Sequence, residues 1–163
     1  MIRAMRFTTG FFTVLLALLL AACSGGGGGG GVAAPNNVPR YAFVANQSDN
    51  SVASYVVDAA TGRLKYIGKA AAGTAPLSVA VDPTGKYAYV ANSSSNNISQ
   101  YTIGTNGSLT AMATATVAAG TEPFSVTVDP SGKYVYVANW TSNDVSQYTI
   151  GTNGSLTAMA TAT

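Results

Sequence analysis

Short apolar runs rich in Val, Tyr, Ile and Thr recur along the chain from residue 40 onward, and polar turns containing Gly, Pro, Asn or Asp separate them. Runs of roughly four to eight such residues between turn signals are typical of β-strands. After residue 22, no segment has a 3.6-residue period long enough for a helix. In the last repeat unit the pattern predicts four strands, a to d, at residues 124–128, 133–138, 145–150 and 156–163.

The turns between these strands carry specific signals. Residues 129–132 are Asp-Pro-Ser-Gly, which suits a type I turn, and residues 151–154 contain Asn-Gly, a strong hairpin signal. Asp at the start of such a turn stabilises it through its side chain. We therefore predict that Asp129, its counterpart Asp82 and the earlier Asp58 cap turns and do not form a catalytic pair of carboxylates.

The whole unit repeats along the chain. Segments that begin at Arg40, Lys86 and Lys133 align as RYAFVAN, KYAYVAN and KYVYVAN, offset by 46 residues (40 to 86) and by 47 residues (86 to 133). A period of this size with four strands is typical of a β-propeller blade. The sequence predicts an all-β fold, a partial, open β-propeller of about three four-stranded antiparallel blades, divided into repeats 40–85, 86–132 and 133–163.

The two faces of the predicted strands differ in a way that places them in a blade. Strand b is apolar on both faces, since Tyr87, Tyr89 and Ala91 alternate with Ala88 and Val90. This pattern favours a sheet packed between two neighbours. Strand d alternates apolar residues with Thr, which is typical of an outer strand with one face in water.

The order of the predicted strands raises a question about the length of the protein. They run b-c-d, a-b-c-d, a-b-c-d, which makes eleven, without the strand a that would complete the first blade and fasten a ring. Propellers usually have about four to eight blades. Residues 99–116 and 146–163 are also identical, letter for letter. Two interpretations remain open: the sequence is a fragment of a longer propeller, or copies of a short chain associate to close a ring.

The first 22 residues have the pattern of a secretory signal peptide, with Arg3 and Arg6 ahead of an apolar run at 11–22. That run is too short to cross a bilayer, which takes about 20 apolar residues. Residues 20–23, Leu-Ala-Ala-Cys, resemble the lipobox of bacterial lipoproteins, which implies that Cys23 becomes the lipidated first residue.

The segment after the lipobox completes this prediction. In Gram-negative bacteria, lipoproteins kept in the inner membrane carry Asp directly after the lipidated Cys. This sequence has Ser24 at that position and in this respect resembles lipoproteins sorted to the outer membrane. The glycine run at 25–31 has no side chains to pack, so residues 23–39 are predicted to form a flexible tether. The sequence thus predicts an exported lipoprotein of the cell envelope that contacts the membrane through its N-terminal lipid.

Charge and composition limit the chemistry. Of eight basic residues, Arg3 and Arg6 leave with the predicted signal, so six basic and six acidic residues remain and no basic patch is available for nucleic acid. The sequence has no His, and Cys23 is its single Cys. This excludes His-based catalytic triads and the usual zinc ligand sets. We predict no catalytic residue, no metal and no cofactor; Asp49 and Asp144 lie in Ser/Asn-rich loops without the spacing of a calcium site.

Strand parity places the less regular loops together. In an up-down meander the b–c and d–a connections lie on one face, and function concentrates in such loops. Glu122 stands where the previous repeat has Ala75, and Trp140 stands where earlier repeats have Gln47 and Ser93. Trp140 is either a contact anchor or a side chain folded over its own loop. The predicted binding face, for a protein or glycan ligand, comprises Glu122, Trp140, Asn139 and Asp144.

Three sets of residues resemble a known family. The Tyr-Val-Ala-Asn cores, the Asp-Pro-Ser/Thr-Gly-Lys-Tyr turns and the segment YVVDAATGRL at 55–64 resemble YVTN-repeat and lactonase-type (6-phosphogluconolactonase-like) seven-bladed β-propellers. The resemblance covers residues 40–163 and implies the propeller fold. Members that hydrolyse sugar lactones typically continue a Gly-x-x-Pro segment with Arg-His, and here the segments at 73–78 and 120–125 continue with Leu-Ser and Phe-Ser.

Together these observations predict an envelope-anchored repeat protein with a binding or structural role. The alternative is a lactone hydrolase whose active residues lie in further blades, and a third interpretation is a gene remnant without function. An Arg-His pair after Gly-x-x-Pro in another repeat would favour the hydrolase.

Overall fold

The computed structural model describes residues 40–160 of the chain. The predicted signal peptide, the tether and Cys23 lie outside the described residues, as do residues 161–163. The described part contains a short 3-10 helix, Gln47–Asp49, and eleven strands. They are β1 (Arg40–Asn46), β2 (Ser51–Val57), β3 (Leu64–Ala71), β4 (Pro76–Val81), β5 (Tyr87–Asn92), β6 (Asn97–Ile103), β7 (Leu109–Ala118), β8 (Pro123–Val128), β9 (Tyr134–Asn139), β10 (Asp144–Ile150) and β11 (Leu156–Ala158).

The strands form three antiparallel sheets in which each strand pairs with the next one along the chain. Blade 1 consists of β1–β3, blade 2 of β4–β7 and blade 3 of β8–β11. Blades 2 and 3 therefore have the full order a-b-c-d, and blade 1 has b-c-d. The predicted all-β, partial propeller fold is confirmed.

The predicted strand bounds in blade 3 agree with the observed ones to within one residue, except at the last strand. The prediction of a strand to residue 163 was too long for what the structure describes, because β11 ends at Ala158. The identical sequence in blade 2 has an irregularity at this point, although β7 continues beyond it to Ala118. There the pairing of Tyr101 with Ala111 is followed by a bulge before Ser99 pairs with Thr116. Ala158 corresponds to Ala111, so β11 ends where the bulge begins.

The core consists of two apolar clusters, one at each junction between blades. β5 contributes to both, because Ala88 and Val90 pack toward blade 1 while Tyr89 and Ala91 pack toward blade 3. The prediction from its two apolar faces is thus confirmed. The outer strand β7 is mostly exposed, as its Thr-rich face predicts.

Buried tyrosine hydroxyls tie neighbouring blades together. The Tyr89 hydroxyl donates to the carbonyl oxygen of Gly154 at 2.7 Å, and the Tyr148 hydroxyl donates to that of Ala118 at 2.6 Å. Burial raises the pKa of both phenols. The hydroxyls therefore stay protonated and act as donors across the whole neutral pH range.

A buried amide makes a second kind of tie. The Gln100 side chain donates from Nε2 to the Thr114 carbonyl at 2.9 Å, inside the β7 bulge, and its Oε1 accepts from the backbone N–H of Leu156 at 2.7 Å. One side chain thus satisfies a bulge in its own blade and a backbone donor in the next blade.

The Asp residues at the a–b turns cap them, as predicted. The Asp129 carboxylate accepts backbone N–H bonds from Ser131, Lys133 and Tyr134 at 2.8–3.1 Å, together with the Ser131 hydroxyl at 2.5 Å. Asp82 makes the same set of contacts in blade 2. These carboxylates are committed to turn structure and are not free for catalysis.

The capping geometry predicts an acid-dependent loss of stability. The Ser131 hydroxyl, helped by the backbone donors, holds the pKa of Asp129 at about 2, below its usual 3.8. A depressed pKa contributes stability that is full above the unfolded-state value and is lost as the pH falls toward the folded-state value. The free energy of unfolding, measured by urea titration, should therefore decline between pH 4 and pH 2. Asp129→Asn should make that decline shallower; an identical decline would contradict the assignment.

Candidate functional site

The b–c and d–a loops meet on one face of the described blades, as strand parity predicts. The backbone N–H of Ser93 donates to the Ala75 carbonyl at 2.9 Å, and that of Trp140 donates to the Glu122 carbonyl at 2.8 Å. Each pair joins a b–c loop to the d–a loop that enters the same blade. We call this surface the loop face.

Glu122 occupies a backbone corner that recurs. Its φ is 55°, in the left-handed region, and its N–H donates to the Asn96 Oδ1 of the preceding blade at 2.8 Å. Ala75 has φ 54° and makes the same bond to Asn50. The left-handed backbone costs about 1–2 kcal/mol for a residue with a Cβ. Because both residues use it to bond the preceding blade, it serves the docking of one blade on the next. Only the Glu122 side chain is particular to the second corner.

Trp140 packs against Phe124 and still faces the solvent. The two ring centroids are 5.7 Å apart with an interplanar angle of 40°, and Trp140 is 69% exposed. Phe124 belongs to β8, so the indole does not merely cover its own loop. This exposure agrees with the contact anchor considered from the sequence, and that role stays a prediction.

A cavity of about 270 Å³ lies at this point of the loop face. Leu77 and Ser93 of blade 2 line one side, and Glu122, Phe124 and Trp140 of blade 3 line the other. The Glu122 carboxylate accepts a hydrogen bond from the Thr141 hydroxyl, which holds it beside the indole. We call these five lining residues the inter-blade pocket; its volume lies just below the roughly 300 Å³ at which drug-sized sites begin.

The other two predicted site residues lie apart from this pocket. Asn139 is buried, and its Nδ2 donates to Asp144 Oδ1 at 2.7 Å and to Ser146 Oγ at 2.8 Å. Asn92 makes the corresponding bonds in blade 2, to Asn97 and Ser99. The Asn139–Asp144 pair therefore holds a b–c loop in shape.

Sequence reasoning missed Leu77, Ser93 and Phe124 as lining residues. A signal was present, because Leu77 and Phe124 directly follow Gly-x-x-Pro, the place at which the resemblance expects Arg. The next residue, Ser78, uses its hydroxyl to accept the backbone N–H of Val126 at 3.2 Å. Of the two residues that stand in place of the Arg-His pair, Leu77 thus lines the pocket with an apolar side chain, and Ser78 makes a contact between blades.

The described residues offer little for metal chemistry. Between residues 40 and 160 no three His, Cys, Asp or Glu side chains cluster closely enough to hold a metal ion. Asp49 accepts from Lys69 Nζ at 2.7 Å and from the Ser51 hydroxyl, and the Lys69 bond lowers its pKa. In the same range no helix is long and apolar enough to cross a membrane.

Solved structures similar to this chain include proteins described as gluconolactonases. A Bacteroides fragilis protein provisionally assigned as a 6-phosphogluconolactonase is 26% identical with a TM-score of 0.68, over 74% of this chain and 35% of that one. A Bacteroides uniformis protein with the same provisional assignment is 24% identical with a TM-score of 0.69, over 77% and 37%. The periplasmic gluconolactonase of Pseudomonas aeruginosa is 17% identical with a TM-score of 0.66, over 75% and 36%.

The latter two likenesses, at under 25% identity, show the fold alone. The chain spans little more than a third of the length of these proteins. No curated protein matches the sequence. The sequence does match the family described as "Lactonase, 7-bladed beta-propeller", over residues 34–118 and again over residues 99–163. The matched segments cover most of the chain, which therefore belongs to the lactonase family of seven-bladed β-propellers.

Proposed function

We propose that the protein is a binding propeller that takes a small polyhydroxylated ligand, such as one sugar unit of a glycan, in the inter-blade pocket. The observation that carries this proposal is Trp140, which is 69% exposed and packs at a tilt against Phe124 beside the Glu122 carboxylate. Exposed aromatic side chains combine a large apolar area with low conformational cost, which makes them effective contact anchors.

The chemistry of the lining suits a sugar ring. The electron-rich faces of indole and phenyl rings attract the weakly positive C–H groups of a sugar. A carboxylate at the edge accepts charge-assisted hydrogen bonds from hydroxyl groups, which are roughly twice as strong as neutral ones. Ser93 adds a hydroxyl that both donates and accepts.

The pocket favours binding over hydrolysis. Glu122 is the one titratable side chain among the five lining residues. Opening a lactone needs a base for the attacking water and donors for the developing oxyanion. Phe124 and Leu77 offer neither, and the carboxylate of Glu122, the one candidate base, already accepts the Thr141 hydroxyl, so we assign the pocket a recognition role.

Lactone hydrolysis is the second candidate, and family membership favours it. The Bacteroides fragilis relative at 26% identity carries a provisional 6-phosphogluconolactonase assignment. Active residues in further blades would be required, since this chain corresponds to 35% of that protein.

We also propose that the protein is carried on the cell envelope by an acylated Cys23, which would present the loop face outside the cytoplasm. The support is the Leu-Ala-Ala-Cys sequence at residues 20–23 behind an apolar run. Labelled palmitate should be incorporated by the wild type and not by Cys23→Ser; equal incorporation would refute the anchor.

The only Trp in the sequence reports on the pocket directly. We expect the Trp140 fluorescence to shift on titration with a panel of neutral mono- and oligosaccharides. By calorimetry on the best ligand, Trp140→Ala should weaken binding about thirtyfold, or about 2 kcal/mol, as for an anchor residue. Glu122→Ala should weaken it about tenfold without disturbing the fold, because Ala75 already occupies the matching corner.

Tyr66→Ala is the matched control, since Tyr66 is an exposed aromatic on β3 of blade 1, away from the pocket. It should bind like the wild type. No fluorescence response to any sugar of the panel, or binding unaffected by Trp140→Ala, would reject the proposal. Catalysed ring opening of glucono-δ-lactone by the same protein would favour the second candidate.

A further inference from the structure

The residues that distinguish one repeat from the next concentrate at the inter-blade pocket. Residues 73–116 and 120–163 align without gaps and differ at nine positions, which in the first segment are 75, 77, 80, 84, 88, 93, 94, 97 and 98. Four of the nine belong to the pocket of the second segment. Three of these line it, namely Glu122, Phe124 and Trp140, and the fourth, Thr141, holds the Glu122 carboxylate. The differences thus bring one carboxylate and two aromatic rings to one place.

The charge of the Glu122 carboxylate is not paired with a basic side chain of residues 40–160. The one ion pair in that range joins Lys69 to Asp49 at 2.7 Å, in blade 1. The other basic residues of the range lie at the starts of strands b and d, on the face opposite the loop face: Arg40, Arg63, Lys65, Lys86 and Lys133. The pocket therefore presents a negative charge that a cationic ligand would complement.

The same carboxylate has room for a further donor. The Thr141 hydroxyl donates to its Oε2, and Oε1 accepts no hydrogen bond from residues 40–160. An ammonium group is a compact positive charge with three donors, so it can use this free oxygen. Apolar side chains form most of the lining, and opposite charges attract more strongly where such side chains replace water.

The two aromatic rings favour a cation at the same point. An ammonium group over the face of Trp or Phe, within about 6 Å of the ring centroid, is attracted by the negative face of the ring, most strongly for Trp. The centroids of Trp140 and Phe124 are 5.7 Å apart, so one cation in the pocket can lie within this distance of both. A carboxylate beside two aromatic rings thus suits a cation better than a neutral group.

We propose that the sugar bound in the inter-blade pocket carries a protonated amine, which pairs with the Glu122 carboxylate against the rings of Trp140 and Phe124. The ligand class is an amino sugar with a free ammonium group. The remaining hydroxyl groups of the sugar bond Ser93, and its C–H groups contact Leu77. This inference rests on the proposed function, because it specifies which sugar the pocket takes.

Three sugars that differ at one substituent test the inference. The Trp140 fluorescence of the full-length chain is titrated at pH 6 with glucosamine, glucose and N-acetylglucosamine. Amines of this kind titrate near the α-amino value of about 7.7–8.0, so glucosamine is charged at that pH, whereas the other two sugars are neutral. We expect glucosamine to bind about tenfold more tightly than glucose. Raising the salt concentration from about 0.1 M to about 1 M should reduce that preference, because salt screens exposed charges.

Two variants locate the charge responsible. Glu122→Gln keeps the size and an acceptor but removes the charge, so it should abolish the preference for glucosamine while glucose binding changes much less. Asp144→Asn is the matched control, because Asp144 carries an equal charge on the loop face and does not line the pocket. Asn97 makes the corresponding hydrogen bond to Asn92 in blade 2, so this variant should fold and should keep the preference.

The possible failures of the two proposals are distinguishable. Equal binding of glucosamine and glucose would overturn the amino-sugar inference and leave the proposed function standing. A preference that survives Glu122→Gln, or that Asp144→Asn removes equally, would also overturn it, since the net charge of the face and not the pocket would then attract the ligand. No fluorescence response to any of the three sugars would reject the proposed function and this inference together.

Discussion

Replacing Tyr89 with Ala should lower the free energy of unfolding by about 3–5 kcal/mol, the usual cost of removing a fully buried aromatic side chain. Tyr89 is 0% exposed, lies in the cluster between blades 2 and 3, and donates to the Gly154 carbonyl at 2.7 Å. The substitution leaves a cavity at the junction and removes the donor from a buried carbonyl. Chemical denaturation monitored by circular dichroism measures the loss.

The same substitution at Tyr136 is the matched control, because the two residues hold the same place in successive repeats. Tyr136 is 37% exposed, so Tyr136→Ala should cost less than half as much. Tyr89→Phe separates the two contributions: it keeps the ring, as Phe43 does in blade 1, and should cost about 1–3 kcal/mol for the orphaned carbonyl. Equal losses at Tyr89 and Tyr136 would contradict the assigned burial.

The repeat made the strands and blades predictable from sequence. Because YAFVAN, YAYVAN and YVYVAN recur at fixed offsets, each strand signal was seen two or three times, and the b-c-d, a-b-c-d, a-b-c-d order followed by counting. The two apolar faces of β5 also predicted that it would serve two junctions. Periodicity carries this information because side chains on a strand alternate between its faces.

The partners of polar side chains could not be predicted in the same way. Asn139 and Asp144 flank the polar loop that contains Trp140, and only the three-dimensional structure shows that their side chains bind one another. Gln100 appeared in sequence as one polar residue within a strand, yet it joins a bulge to the next blade. Hydrogen-bond partners far apart in sequence are a property of docking, which a local pattern does not contain.

The residues of the inter-blade pocket could be predicted from the sequence only in part. A comparison of successive repeats singles out Glu122 and Trp140. Their counterparts Ala75 and Ser93 make the same backbone hydrogen bond but have different side chains. The left-handed corner at Glu122 would by itself suggest functional strain. Its repetition at Ala75 shows that the strain serves blade docking, and the two corners then differ only in their side chains.

Gly154→Ala should cost about 2–4 kcal/mol, because two penalties act at one residue. Gly154 has φ 83°, which costs a residue with a Cβ about 1–2 kcal/mol. The added methyl group would also lie 2.5 Å from Tyr87 Cγ, and forcing extra volume into a packed junction typically costs about 1–3 kcal/mol. Tyr87 packs against the apolar cluster between blades 2 and 3, which restricts how far its ring can move aside.

Gly85→Ala isolates the first penalty, because Gly85 has φ 69° and open space around the position of a Cβ. It should cost only about 1–2 kcal/mol. The difference between the two variants, measured by urea unfolding, then reports the packing of a glycine turn on a tyrosine ring. If both variants lose the same stability, the Gly154 turn is not seated on Tyr87 in solution, and its contact with that ring does not stabilise the junction between blades 2 and 3.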